Sequence, residues 1–168
     1  MQQARGNDTF KYHKHVKRPT ELMNNNDIEY IGKSNIFREG ITVHRGTIQD
    51  KSKTVIGDGN LFMAYTHVAH DCVVGNYNVF ANSAGLAGHV TLGNYVTLGA
   101  FTLVHQFCKL GDYSFTGLNT IITMDVPAFV KVAANPARPI GLNSIGMQRN
   151  NFDTESINLI KKAYFRPP

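Results

Sequence analysis

An apolar residue recurs every six positions over most of this chain, and few folds accept such a period. From Ile56 the register runs without a slip through Phe62, Val68, Val74, Phe80, Leu86, Leu92, Leu98, Val104, Leu110, Thr116 and Ile122, and only Thr116 is not apolar. Ile31, Phe37 and Val43 show the same spacing earlier, and the polar stretch Thr47 to Thr54 separates the two runs and shifts the phase. Glycine often follows the hexad residue, as at Gly75, Gly93 and Gly111, and small or polar residues often stand two before it, as at Thr66, Cys72, Ala84 and Cys108. A period of six matches neither the 3.6-residue helix nor the two-residue alternation of an ordinary strand. It matches a parallel β-helix in which each hexad is one side of a triangular coil and three sides take about eighteen residues. The hexad residue points inward and stacks on its counterpart one coil later, at the strand spacing of ~4.8 Å. Glycine and small residues are expected at the tight corners.

The expected architecture is all-β, a left-handed parallel β-helix of hexapeptide repeats with a short C-terminal helical segment. The hand is the one such repeats adopt in known families, an exception to the usual right-handed crossover. Residues 1-26 form a polar, basic N-terminal arm, residues 27-126 the β-helix, and residues 127-168 an exit loop and helical segment. Asp153 is placed to cap a helix over 154-164, with Ile157, Ile160 and Tyr164 on one face and Lys161 and Lys162 near its C-terminal end. Cys72 and Cys108 lie two coils apart, too far for a bridge, and are expected as small buried corner residues.

Composition narrows the partners. No apolar run in the 168 residues approaches the ~18 needed to span a membrane, and no apolar segment follows the opening Met1 to Arg5, so a cytoplasmic chain without membrane insertion is expected. Seventeen Lys and Arg against twelve Asp and Glu give a net charge of +5, which favours an anionic partner such as phosphate or a nucleotide. The basic cluster from Lys11 to Arg18 has few aromatics interleaved, so nucleic acid is not expected.

The eighteen-residue coil brings histidines together. One coil beyond His70 is residue 88 and two coils beyond is 106, and the chain carries His89 and His105, each within one residue of that azimuth. His67 lies half a side away. Such a column supports two chemistries. His70, followed directly by Asp71, has the form of a general base oriented by a carboxylate. Three imidazoles also suit zinc with one position left open for water. The residues alone permit both.

Five strings, Ile41-Thr42-Val43-His44-Arg45-Gly46-Thr47, His67-Val68-Ala69-His70-Asp71-Cys72, Leu86-Ala87-Gly88-His89-Val90, Val104-His105-Gln106-Phe107-Cys108 and Gly141-Leu142-Asn143, resemble the UDP-N-acetylglucosamine O-acyltransferase family, whose members open lipid A synthesis. The resemblance covers residues 27 to 164. It implies a homotrimer with sites between neighbouring β-helices, transferring a hydroxyacyl group from acyl carrier protein to the sugar 3-hydroxyl, with no metal and no cofactor beyond the carrier thioester. His70 would be the general base, Asp71 its orienting partner, and the Gly88 amide an oxyanion donor. Asp8, Lys11, His67, His89, His105, Gln106, Asn143 and Arg149 match substrate-lining positions. Leu118 stands where long-chain enzymes carry glycine, so it would shorten the acyl ruler and favour about ten carbons over fourteen.

The chain also departs from that pattern. It looks shortened at both ends, and Ile145 and Asn150 replace a glutamate and an arginine. Other readings are an N-acyltransferase on a UDP-3-amino sugar, a γ-carbonic-anhydrase-like metal hydratase, and a non-catalytic hexapeptide trimer. The hydratase pattern pairs histidines five apart, whereas His67 and His70 are three apart.

Overall fold

The structure, a computed structural model, describes residues 28–48 and 53–164. The hexads fold into short parallel strands that turn sharply after each side. One face stacks β1 (Ile28–Ile31), β4 (Lys53–Ile56), β7 (Val73–Val74), β10 (Thr91–Leu92) and β13 (Lys109–Leu110). The second stacks β2 (Ile36–Phe37), β5 (Leu61–Phe62), β8 (Val79–Phe80), β11 (Thr97–Leu98) and β14 (Phe115–Thr116). The third stacks β3 (Thr42–Val43), β6 (His67–Val68), β9 (Gly85–Leu86), β12 (Leu103–Val104) and β15 (Ile121–Ile122). Successive strands visit the three faces in turn, so the molecule is a triangular parallel β-helix. Its edges are called here the first (face one to two), second (two to three) and third (three to one).

Register follows from the inward residue. Ile56 lies opposite Val74, Val74 opposite Leu92 and Leu92 opposite Leu110, eighteen residues apart each time. Ile31, by contrast, lies opposite Ile56, and Val43 opposite Val68, each twenty-five residues on. The polar insert therefore adds seven residues to one coil without moving any inward side chain off its column. Inside, Phe37, Phe62 and Phe80 stack with ring centroids 4.8 and 4.5 Å apart. Phe62, Phe80, Leu98 and Ile122 are fully buried, each contributing about 1.5–3 kcal/mol. Thr116 takes an apolar column's place without an unpaired hydroxyl, because its Oγ1 lies 2.7 Å from that of Thr102 and accepts from the Gly99 amide. Cys72 and Cys108 are both buried free thiols, and burial pushes Cys72 up to about 12.

Glycine fills a left-handed corner as expected at Gly40 and Gly59, both with φ of +68°, and serves a different purpose after the hexad residues. The corner residues with positive φ include Asp71, Tyr77, His89, Tyr95, Phe107 and Tyr113, not the glycines after the hexad residues. At Gly75 an added Cβ would collide with the Gly93 carbonyl of the next coil, so glycine is needed there for close approach. The left-handed corner residues offset their strain by stacking: Tyr77 on Tyr95, Tyr95 on Tyr113 and Tyr113 on Phe129 along the first edge.

The coil also continues past the last hexad residue. Val126 bridges Leu110, and β16 (Val130–Ala133) pairs in parallel with β14 before β17 (Arg138–Leu142) turns back antiparallel. Thr116 faces Val132, sixteen residues on rather than eighteen, and that shortened side hides the strand from a six-residue scan. Two helices follow, α1 (Ser144–Arg149) and α2 (Thr154–Tyr164). Asp153 accepts from the Ser156 amide at 2.7 Å as an N-cap should, Ile157 is buried, and the Tyr164 hydroxyl donates to the Ala128 carbonyl. Among the described residues no helix is long and apolar enough to cross a membrane.

Truncating an inward ring should open a cavity that the neighbouring coils cannot fill. Phe80→Ala is expected to cost about 3–5 kcal/mol in urea unfolding, and an unchanged midpoint would place Phe80 outside the core.

Candidate active site

The third edge gathers the chemistry. Each coil turns there through two residues, His70-Asp71, Gly88-His89 and Gln106-Phe107 in succession, and the second of each pair takes positive φ. That alternation decides which rings meet. His89 touches the His70 ring edge-on at a centroid distance of 5.1 Å and stacks on Phe107 at 4.6 Å. The expected column of His70, His89 and His105 is thereby corrected: the residue one coil above His89 is Phe107. His105 precedes the turn and is exposed, with its Nδ1 3.2 Å from the Gln106 carbonyl, and Gln106 is exposed as well.

His70 and Asp71 form a pair. The His70 Nδ1 lies 2.9 Å from Asp71 Oδ2, with the histidine side chain 38% exposed and the carboxylate fully buried. Nε2 is then left without a hydrogen-bond partner among the described residues. Asp71 is held from the coil below: the Thr47 amide donates to both carboxylate oxygens at 3.0 Å, and the Thr47 hydroxyl donates to Oδ2 at 2.7 Å. Burial alone would raise the Asp71 carboxyl, but the bonds from Thr47 and His70 reverse this and hold it below its ordinary 3.8.

Gly88 fixes the room available to the imidazole. A Cβ at Gly88 would stand 2.7 Å from His70 Cε1, so the ring lies across the glycine and nothing larger fits beneath it. Among the described residues nothing accepts a hydrogen bond from the buried Gly88 amide. An unpaired N–H beside an imidazole nitrogen without a partner gives one donor and one acceptor at the same turn.

His67 extends the row. Its Nδ1 lies 2.7 Å from the Thr42 hydroxyl and its ring meets His44 edge-on at 4.7 Å. Burial pushes His67 below its ordinary 6.5, and the charge on neighbouring His70 adds to this. The ligand atoms of His70, Asp71 and His89 lie within 4.8 Å of one another. Asp71 already accepts from Thr47 and His70, so this trio holds two imidazoles beside a carboxylate whose oxygens are engaged.

The remaining candidates stand elsewhere. Asn143 caps α1, its Oδ1 accepting from the Gly146 amide and its Nδ2 donating to the Tyr113 carbonyl on the first edge. Arg149 is exposed in the last turn of α1, Ile145 is 63% exposed, and Asn150 donates to the Gly146 carbonyl. Leu118 is 70% exposed on the second edge, beside Asn119 at positive φ. Asp8 and Lys11 lie outside the described residues. Thr42, His44 and Thr47 join the site although the eighteen-residue count does not reach them, because the coil that holds them is seven residues longer.

Known proteins resemble the chain along most of its length. A family model described as UDP-N-acetylglucosamine O-acyltransferase, domain 2, matches residues 125–166, and one for bacterial transferase hexapeptide repeats matches residues 53–88. A relative from Ectopseudomonas mendocina named acyl-(acyl-carrier-protein)--UDP-N-acetylglucosamine O-acyltransferase is 48% identical over 151 residues, which is 90% of this chain and 56% of that protein. The UDP-N-acetylglucosamine O-acyltransferase structure from Moraxella catarrhalis is 44% identical with a TM-score of 0.83, covering 88% of this chain and 57% of that one. The Arabidopsis UDP-N-acetylglucosamine acyltransferase structure is 36% identical with a TM-score of 0.80, covering 88% and 51%. The chain thus spans a little over half the length of its curated relatives.

His67 and Asp71 both make stability depend on pH with the same sign. The unfolded chain protonates His67 as the pH falls below 6.5 while the folded chain resists, so stability drops there. Asp71 contributes above 3.8, and its contribution is lost as the pH falls through its lower folded value. The thermal midpoint is expected to fall between about pH 7 and 5, and His67→Gln should flatten that window alone. An unflattened profile would remove His67 as its source.

Proposed function

The chain belongs to the UDP-N-acetylglucosamine O-acyltransferase family, and on that premise we propose that it moves a hydroxyacyl chain from acyl carrier protein to the 3-hydroxyl of UDP-N-acetylglucosamine. The observation that carries this reading is the His70–Asp71 pair, with Nδ1 2.9 Å from a buried carboxylate and Nε2 open. His70 Nε2 takes the sugar hydroxyl proton while that oxygen forms a bond to the thioester carbonyl carbon. The carbonyl oxygen gains the electron pair, and the open Gly88 N–H stabilises it. Collapse restores the carbonyl and breaks the carbon–sulfur bond. The proton held by His70 passes to the departing thiolate, so base and ester exchange close without a cofactor.

A homotrimer suits the placement of the other groups. His70, Leu118 and Asn143 belong to the third, second and first edges of one prism, so a cleft that uses more than one of them draws on a neighbouring copy. The basic balance of +5 suits the pyrophosphate and an acidic carrier. In such a cleft the exposed Leu118 side chain shortens the room for an acyl tail.

His70→Ala is expected to lower turnover by about 10²–10⁴-fold without altering the oligomer, and near-wild-type turnover would refute the assignment. Leu118→Gly should shift preference from donors of about ten carbons toward about fourteen, by roughly fourfold for each methylene admitted. Unchanged preference would detach Leu118 from chain selection.

A further inference from the structure

The insert that interrupts the hexads returns to a single residue. Thr47 opens the polar stretch and Thr54 closes it, and both bond Asp71. From one side the Thr47 amide and hydroxyl donate to the carboxylate. From the other the Thr54 hydroxyl, fully buried, accepts the Asp71 amide at 2.9 Å and steadies a residue whose φ is +59°. The carboxylate oxygen that meets His70 Nδ1 is the one taking the Thr47 hydroxyl. Rotation of the carboxylate about χ2 would break the Thr47 and His70 bonds together.

We propose that Thr47, on the coil below, is a positioning residue that acts on His70 through Asp71. Thr47 bonds the carboxylate and not the imidazole. Its hydroxyl and amide fix the plane of the carboxylate, the carboxylate fixes the Nδ1 side of the imidazole, and Nε2 is thereby aimed along the turn toward Gly88. This inference rests on the general-base reading above. The register that sets Val43 opposite Val68 carries Thr47 under the corner that holds Asp71, so a backbone amide and a hydroxyl from the coil below meet one carboxylate. Of the neighbouring imidazoles, His89 meets the His70 ring edge-on and His67 bonds the Thr42 hydroxyl.

The test compares Thr47→Val, Thr47→Ser and the double variant Thr47→Val/Asp71→Asn in steady-state acyl transfer by the full chain, with His70→Ala as the reference. Thr47→Val should lower kcat about tenfold, the scale of one net hydrogen bond, with KM for the nucleotide sugar within about twofold. Thr47→Ser, which keeps the hydroxyl, should recover most of that loss, and in the Asp71→Asn background Thr47→Val should have little further effect. Wild-type kcat in Thr47→Val, an equal loss in Thr47→Ser, or an undiminished loss in the Asp71→Asn background would each overturn the proposal while leaving His70 as base. Activity retained in His70→Ala would instead overturn the reading on which it rests. If valine disturbs the fold, Thr47→Ala serves the same comparison.

Discussion

The β-helix depends on each inward side chain landing on its counterpart in the coil before it. The constraint is steric as much as hydrophobic: the narrow interior stacks Phe62 on Phe37 and Phe80 on Phe62, and a register slip of one residue would turn all three toward water. Because the columns are fixed, the corners are fixed as well. The corners carry the unusual backbone, the stacked aromatics and the reactive groups, so packing inside the prism sets the positions of the chemistry outside it.

The site shows how that transfer of order works. A turn residue has little secondary structure to hold it, yet Asp71 is immobilised by its own amide on Thr54 and by its carboxylate on Thr47. A buried carboxylate without such donors would be costly and would titrate upward. With them it stays ionised and serves as a fixed acceptor for His70. Gly88 then does by omission what Thr47 does by contact, since the absence of a Cβ is what lets the imidazole lie across the next coil.

Much of this was legible in the sequence because a six-residue period has few solutions. The inward columns, the buried cysteines and the proximity of His70 to His89 all follow from it, and the Asp153 cap follows from the helical spacing of 154–164. The failures have local causes. His105 lies nearest by count, but it stands one residue before the turn, and Phe107 holds the place equivalent to His89. β16 was missed because its coil is two residues short, and α1 because its Asn143 cap precedes a helix of six residues. Thr47 was read as the start of an interruption. Only three dimensions reveal that the interruption closes under Asp71.

The proposed reaction rests on the family likeness and on the His70–Asp71 geometry, and its product is the most direct test of it. The full chain would be incubated with 3-hydroxyacyl-loaded acyl carrier protein and UDP-N-acetylglucosamine, and the nucleotide sugar followed by mass and by the position of the new ester. The account predicts one hydroxyacyl group on the sugar 3-hydroxyl and free carrier thiol in equal amount. Carrier thioester hydrolysed with no acylated sugar, or acylation elsewhere on the nucleotide sugar, would contradict it.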